Sequence, residues 1–475
     1  MESLVKIPSQ THCVFGLGFV LVSFFSQLSW AENPNLEKWL SFQAKESLIR
    51  MKRNISPAGA APGIILASPS KVDPDYYFHW VRDSALVIDS LFTLPESEKS
   101  YVESSFQDFV FLSEKLQNTP ALTGLGEPRF NVDGTPYMGE WARPQNDGPA
   151  LRALSLLRGL EKLSLKPEIR QKISAILKKD LSFILTHFAQ PSFDLWEEVK
   201  GDHFYTRLVQ LAALEKALAQ FDESWSLKKA DCENVIRLLR QSLNGHWMPE
   251  AQSFAVTLNR LEGAESYKKT ELDLAVVLGS LHSGLKSGDF SLRDDRVLAT
   301  ASQLELVFQK IYRLNADSLA SPATVVPAIG RYSDDVYFGG NPWYLATAAF
   351  AELHDRLAHS LGEDSRFQIT SFNLPFFRSA LATSSEDLKQ LKAGIRLEQN
   401  PKLLRKIREA LQKRGDLFFE RLQRHTPADG GMAEQFGRDQ GQPVSARDLT
   451  WSYAAFLTAL QARQLSNQHP SFTNQ

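Results

Sequence analysis

Four segments of the chain concentrate carboxylates, arginines and tryptophans. The first is Asp75-Tyr76-Tyr77-Phe78-His79-Trp80-Val81-Arg82-Asp83. The second runs from Gly126-Glu127-Pro128-Arg129 through Asp133 to Trp141-Ala142-Arg143-Pro144-Gln145-Asn146-Asp147. The third is Asp194-Leu195-Trp196-Glu197-Glu198-Val199, and the fourth joins Glu434-Gln435-Phe436 to Ser445-Ala446-Arg447-Asp448 and Trp451. These residue types together suit a polyhydroxylated ligand. A pyranose ring presents an apolar C–H face that packs on an aromatic ring. Its hydroxyl rim needs planar, multidentate partners such as Asp, Glu and Arg. Cleaving a glycosidic bond needs two carboxyl groups flanking it. One must hold its proton, which desolvation against aromatic rings favours. Glu197, beside Trp196, suits that acid role, and Glu434 could approach from a distant loop.

Taken singly, each motif also has a plain structural explanation. A Glu-Glu pair usually lies on a solvated face, and Arg82-Asp83 reads equally well as a surface or capping pair. Trp80, Trp141, Trp196 and Trp343 lie in or beside connections, with Trp451 early in a helix. They either form a ligand surface or plug the ends of a helical barrel. The inference rests on four segments of the same character.

The elements that must position these segments are helical. Apolar residues recur at spacings of three and four, as in Leu208, Leu211, Leu214 and Leu218, the stripe of an amphipathic helix. The pattern predicts helices over 36–53, 80–93, 97–118, 148–163, 167–189, 202–220, 225–243, 270–284, 294–314, 341–361, 400–424 and 446–463. Strand-like alternation is short and scattered, and no low-complexity linker divides the chain.

Composition removes several classes. The 475 residues are 43% hydrophobic and 23% charged, ordinary globular values, with a net charge of −2. That balance speaks against a nucleic-acid protein and against a disordered acidic chain. Cys13 and Cys232 are the two cysteines, too few for a zinc ribbon or an Fe–S site. At the N-terminus, the apolar run 13–25 is too short to span a membrane. Lys6 precedes it and Ser29-Trp30-Ala31 follows, the layout of a signal peptide over 1–31 cleaved after Ala31. The expected mature chain is one domain over 32–475, secreted or periplasmic, without an internal disulfide.

With these residues in view, the chain resembles the glucoamylases, exo-acting glucan 1,4-α-glucosidases of glycoside hydrolase family 15. The matching stretches are SPSKVDPDYYFHWVRDSALV, GEPRFNVDGTPYMGEWARPQNDGPALRA, DLWEEVKGDHFYT, AIGRYSDDVYFGGNPWYLAT and MAEQFGRDQGQPVSARDLTWSYAAFLTA. They follow the family's order across nearly the whole mature chain. The resemblance implies an all-α fold, an (α/α)6 barrel, which agrees with twelve helices paired as six hairpins.

It also implies roles. Glu197 is expected as the general acid and Glu434 as the general base, with Tyr76 helping to hold the attacking water and Ser445 hydrogen-bonding the base. Asp194 competes for the base role and ranks second, as an electrostatic or structural partner of its motif. Arg82, Asp83, Arg331 and the main chain at Leu195 would hold the terminal glucose, and Glu198 would touch the next sugar. Trp80, Trp141, Trp343 and Trp451 would wall the pocket, with Trp196 among the sugar contacts and Arg143 close to Trp141. The implied activity inverts configuration and releases β-glucose from non-reducing ends of α-1,4-glucans, with no metal or organic cofactor and no partner beyond the glucan substrate, by a monomer. Trehalose, isomaltooligosaccharides or a non-catalytic glycan-binding role are the alternatives. About a dozen residues follow the last predicted helix, so soluble starch is expected to be a better substrate than raw granules.

Overall fold

The computed structural model describes residues 34–263, 267–382 and 391–468, so the expected signal segment lies outside the described residues. All twelve predicted long helices form. Six make a closed inner ring: Val81–Leu91, Asp147–Lys162, Phe204–Ala219, Ala275–Ser283, Tyr344–Glu363 and Thr450–Gln468, each packed on the next and the last on the first. The other six form an outer layer: Lys99–Asn118, Pro167–His187, Lys229–Asn244, Asp295–Ile311, Pro401–His425 and Pro34–Asn54. Each outer helix packs against the inner helix adjacent to it in the chain, except that Pro34–Asn54 packs on Thr450–Gln468 and so joins the two ends of the fold. This is the expected (α/α)6 barrel.

The two layers differ in sequence for a physical reason. An inner helix meets neighbours on nearly every side, so Tyr344–Glu363 buries residues all round and is rich in alanine, which permits close approach. An outer helix is apolar on one stripe. In Pro401–His425, Leu403, Leu404, Ile407, Leu411, Phe418, Phe419 and Leu422 are buried while Lys402, Arg405 and Lys413 face outward. That helix opens with Pro401 at its first position, and the Asn400 side chain accepts the Leu403 N–H at 3.2 Å, satisfying one of the unpaired first-turn donors. Close contact between layers also constrains residue size. A Cβ on Gly159 would lie 2.2 Å from the Phe106 ring, so the helix Asp147–Lys162 needs glycine there to pack on Lys99–Asn118.

Departures from the predicted boundaries have local causes. Lys229–Asn244 starts four residues late because Glu223–Trp225 forms a separate 3-10 turn, closed by Ser226 in the left-handed region. Ala275–Ser283 starts five residues late because Asp273 Oδ1 accepts the Ala275 N–H at 2.7 Å and so begins the helix there. Two short helices, Ala316–Ala320 and Leu374–Ala380, were not predicted. Strands are confined to small antiparallel sheets, the largest pairing Ser192–Phe193, Val199–His203 and Thr257–Gly263. Among the described residues no helix is long and apolar enough to cross a membrane.

Candidate active site

All four segments enter inner helices at their N-terminal ends. The ring therefore gathers connections far apart in sequence around one mouth, where they enclose a cavity of about 760 Å³. Tyr76 and Trp80 line it from the first connection, Arg82 and Asp83 from the first turn of the helix it enters, and Trp141 from the second connection. Leu195, Trp196, Glu197 and Glu198 line it from the third, Arg331 and Trp343 from the fifth, and Glu434 from the sixth, with Trp451 in the first turn of the helix that follows. The tryptophans at connection ends thus wall a cavity rather than merely plugging the barrel. Glu197 precedes the third inner helix and Glu434 the sixth. These are opposite positions in a ring of six, so the two carboxyl groups enter from facing sides.

Glu197 is held by its neighbours. Trp80 Nε1 donates to its Oε1 at 2.8 Å and Gln145 Nε2 donates to the same atom at 2.7 Å. Arg82 Nη2 lies 3.7 Å from that oxygen, and Oε2 has no hydrogen-bond partner among the described residues. The Glu197 backbone is in the left-handed region at φ 64°, a conformation that costs a non-glycine residue on the order of 1–2 kcal/mol. Asp194 stabilises this turn. Its Oδ1 accepts the N–H groups of Glu198 at 2.7 Å and Val199 at 3.0 Å, and its carbonyl accepts that of Glu197 at 3.0 Å.

Glu434 has a different environment. It is 2% exposed. Burial pushes its carboxyl up to about 7, against the donors Ser445 and Gln435 and the charge of Arg331. The Ser445 hydroxyl donates to Oε2, and Gln435 Nε2 donates to the same oxygen at 3.2 Å. A two-residue hairpin pairing Gln435 with Val444 returns Ser445 to this point, and the Glu434 N–H closes onto the Ala446 carbonyl at 2.8 Å. Tyr76 reaches the same carboxyl and shares a 2.7 Å hydroxyl contact with Tyr337. Sequence reasoning assigns the strongly desolvated carboxyl to Glu197. In the structure it is Glu434, because two N–H donors solvate Glu197 and its side chain remains 18% exposed.

The remaining polar groups form two charged clusters. Arg82 donates to Gln145 Oε1 at 2.8 Å and Asp147 Oδ2 at 3.1 Å, with Asp83 at 3.5 Å. Burial raises Asp83 to about 6 despite that guanidinium. Arg331 grips Asp335 through two bonds of 2.8 and 2.6 Å, and donates to Glu198 Oε1 at 2.9 Å. Tyr332 holds the other Glu198 oxygen at 2.6 Å. Burial pushes the Glu198 carboxyl up, opposed chiefly by Arg331.

Three expected residues lie outside the cavity wall. Ser445 acts through Glu434, as above. Arg143 spends its guanidinium on Glu127 Oε1 at 3.0 Å and on the carbonyls of Gly139 and Tyr137, so it braces the second connection instead of facing a ligand. Asp194 is buried with Lys268 Nζ 3.5 Å away. Burial alone would raise its pKa, but Lys268, His203 and the two backbone donors hold it below the ordinary carboxylate range. That placement fits the structural role and leaves it no approach to a water in the cavity.

Several contributors were missed. Gln145, Tyr337 and Arg129 lie inside the quoted motifs, where neighbouring charged residues drew the attention. Lys268 and Asp273 had no sequence signal, since Lys268 sits in a polar connection that reads as solvated and Asp273 falls in the first turn of a predicted helix, where an acidic residue is ordinary. Lys268 is fully buried, bonds Asp273 at 2.9 Å and lies 4.1 Å from the Tyr332 ring. Asp273 in turn accepts the Trp196 indole N–H at 2.9 Å.

The family described as Glycosyl hydrolases family 15 matches residues 47–461. The chain is 37% identical over 449 residues to a glucoamylase of Blastobotrys adeninivorans, covering 89% of this chain and 70% of that protein. It is 32% identical to the intracellular sporulation-specific glucoamylase of Saccharomyces cerevisiae, over 93% of this chain and 87% of that one. Among solved structures, the Saccharomycopsis fibuligera glucoamylase superposes with a TM-score of 0.82 at 28% identity, over 91% of this chain and 96% of that one. The Hypocrea jecorina enzyme gives 0.79 at 31% identity, over 92% and 74%.

Proposed function

The chain belongs to glycosyl hydrolases family 15 and is a glycoside hydrolase; from that premise we propose that it is an inverting exo-acting glucan 1,4-α-glucosidase. It releases β-D-glucose from the non-reducing ends of starch, glycogen and maltooligosaccharides. The observation that carries this reading is the entry of Glu197 and Glu434 from opposite sides of one cavity. Arg82, Asp83 and Arg331 supply hydroxyl-binding groups around them.

Glu197 protonates the glycosidic oxygen. Glu434 takes a proton from a water that attacks the anomeric carbon on the other face. The C–O bond breaks, the oxygen departs as a hydroxyl of the shortened chain, and the configuration inverts. Such a geometry needs the carboxyl groups about 6.5–9.5 Å apart to admit the water. The deep end of the cavity, at Arg82, Asp83 and Trp451, takes the terminal glucose and restricts attack to a chain end. Burial pushes Glu434 up to about 7; Ser445, Arg331 and Gln435 oppose it and favour the ionised form that a base requires, which is the major form above that pH.

The test is a proton NMR time course of maltotriose hydrolysis. β-Glucose appearing ahead of mutarotation supports the assignment. α-Glucose first means a retaining mechanism and overturns it. A folded enzyme releasing glucose from trehalose or isomaltose and not from maltotriose moves the substrate to another α-glucoside.

We further propose that the enzyme is a monomer with one catalytic domain over 32–475, exported on its N-terminal segment. Since one relative is named as intracellular, export rests on residues 1–31. N-terminal sequencing of the mature protein checks cleavage after Ala31.

A further inference from the structure

Arg129 is a buried cation with no carboxylate in ion-pair contact among the described residues. It is 4% exposed, yet among the described residues its guanidinium has neither an ion pair nor a hydrogen bond, and its Nε is fully enclosed. Arg82 and Arg331, which line the same cavity, each grip a carboxylate, as does Arg143 behind its wall, so Arg129 is an exception. Four aromatic rings surround the Arg129 guanidinium carbon: Phe78 at 3.7 Å, Trp141 at 4.0 Å, Tyr137 at 4.2 Å and Trp80 at 4.8 Å. These rings stand steeply to one another, Phe78 to Tyr137 at 77° and Tyr137 to Trp141 at 84°, so some face the guanidinium flat and others meet its edge, each attracted to the charge. They offer no acceptor oxygen in hydrogen-bond contact, so among the described residues the guanidinium donors make no hydrogen bond. A buried donor without an acceptor is costly to keep.

The side chain is also rigidly placed. The Arg129 backbone pairs with Trp80 in the two-residue ladder, and its carbonyl accepts the Tyr137 N–H at 3.1 Å. Its position along the cavity follows from its neighbours. Trp80, which it touches, donates to Glu197. Its cage includes the half-buried Phe78 and Tyr137, with the exposed Asp75 nearby in the lining, whereas Arg82 and Trp451 are buried on the inner helices and mark the deep end. Arg129 therefore lies on the mouth side of the acid, beyond the bond to be cut.

We propose that Arg129 is a specificity-determining residue that binds the leaving part of the glycan, its planar fork donating to a vicinal pair of hydroxyls on the sugar beyond the scissile bond. This rests on the α-glucosidase reading above. The aromatic cage fixes the fork in advance, so little ordering is needed when the sugar arrives.

The test compares maltotriose with α-D-glucosyl fluoride, whose leaving group has no hydroxyls. Arg129→Met keeps the length and apolar packing of the side chain and removes every donor. A hydrogen bond to a charged group is worth roughly 10- to 100-fold. Arg129→Met should lower kcat/KM for maltotriose by about that factor while changing the fluoride reaction less than threefold. Arg129→Lys keeps the charge but not the fork, and should fall between. The ratio of the two rates within one variant is independent of how much of it is folded. An equal loss on both substrates, or no loss on maltotriose, overturns the proposal. Wild-type enzyme that hydrolyses neither compound refutes the α-glucosidase reading itself, and this inference with it.

Discussion

Replacing Ser445 with alanine separates the two catalytic roles. The Ser445 hydroxyl donates to Glu434 Oε2, and burial already pushes this carboxyl up to about 7. A hydrogen bond to a charged group contributes about 1.5–3 kcal/mol. At about 1.4 kcal/mol per pKa unit, its loss should raise Glu434 by about 1–2 units. Gln435 Nε2 still donates to the same oxygen at 3.2 Å, so the lower part of that range is expected. The sign follows from the role. A base works ionised, so activity falls as pH drops through its pKa, and a higher pKa moves that fall upward.

The assay is the pH dependence of kcat/KM on maltose, which reports the pKa values of the free enzyme. The acid limb should move up by about one unit, with a loss of roughly tenfold at a pH one unit below the wild-type limb. Ser445→Gly should behave the same way. Ser445 has φ 65°, which glycine adopts freely, so backbone strain would not explain a shared shift. If the alkaline limb moves and the acid limb stays, Glu434 is the acid and the assignment is reversed. If neither limb moves, the hydroxyl does not bond Glu434 in the working enzyme.

Glu197→Gln and Glu434→Gln should each reduce kcat by at least about 10²–10⁴-fold, the usual worth of acid or base assistance. Near-normal turnover in either would show the pair to be misassigned. Lys268→Met leaves Asp194 and Asp273 buried without their cation, and breaking a buried pair in this way costs about 3–5 kcal/mol. Urea unfolding should show that loss, and a variant as stable as wild type would refute the ion-pair role. Leu211, fully buried on the inner helix Phe204–Ala219, should cost about 2–5 kcal/mol when cut to alanine. Thermal unfolding unchanged by Leu211→Ala would contradict its place in the core.

The helices were legible because their cause is local. Apolar spacing of three and four, with proline or a capping side chain at the start, marks a helix wherever it packs. Boundaries shifted where one side chain intervened, as Asp273 does at Ala275. Glu197 and Glu434 stood out because carboxylates, arginines and tryptophans recur together at the connections preceding helices, while their proposed acid and base roles came from the resemblance to the glucoamylases.

What the chain alone determined, then, is a set of amphipathic helices and a short roster of chemical groups. The tertiary structure decided which groups meet. Ring closure puts Glu197 and Glu434 on facing sides, a relation no spacing along the chain encodes. Arg143 and Arg129 occupy the same motif and look interchangeable in sequence. One is consumed by Glu127 and two carbonyls, while the other lies in an aromatic cage and makes no side-chain hydrogen bond among the described residues. Desolvation likewise depends on everything that surrounds a group in space, and so it fell on Glu434 although the tryptophan neighbouring in sequence belongs to Glu197.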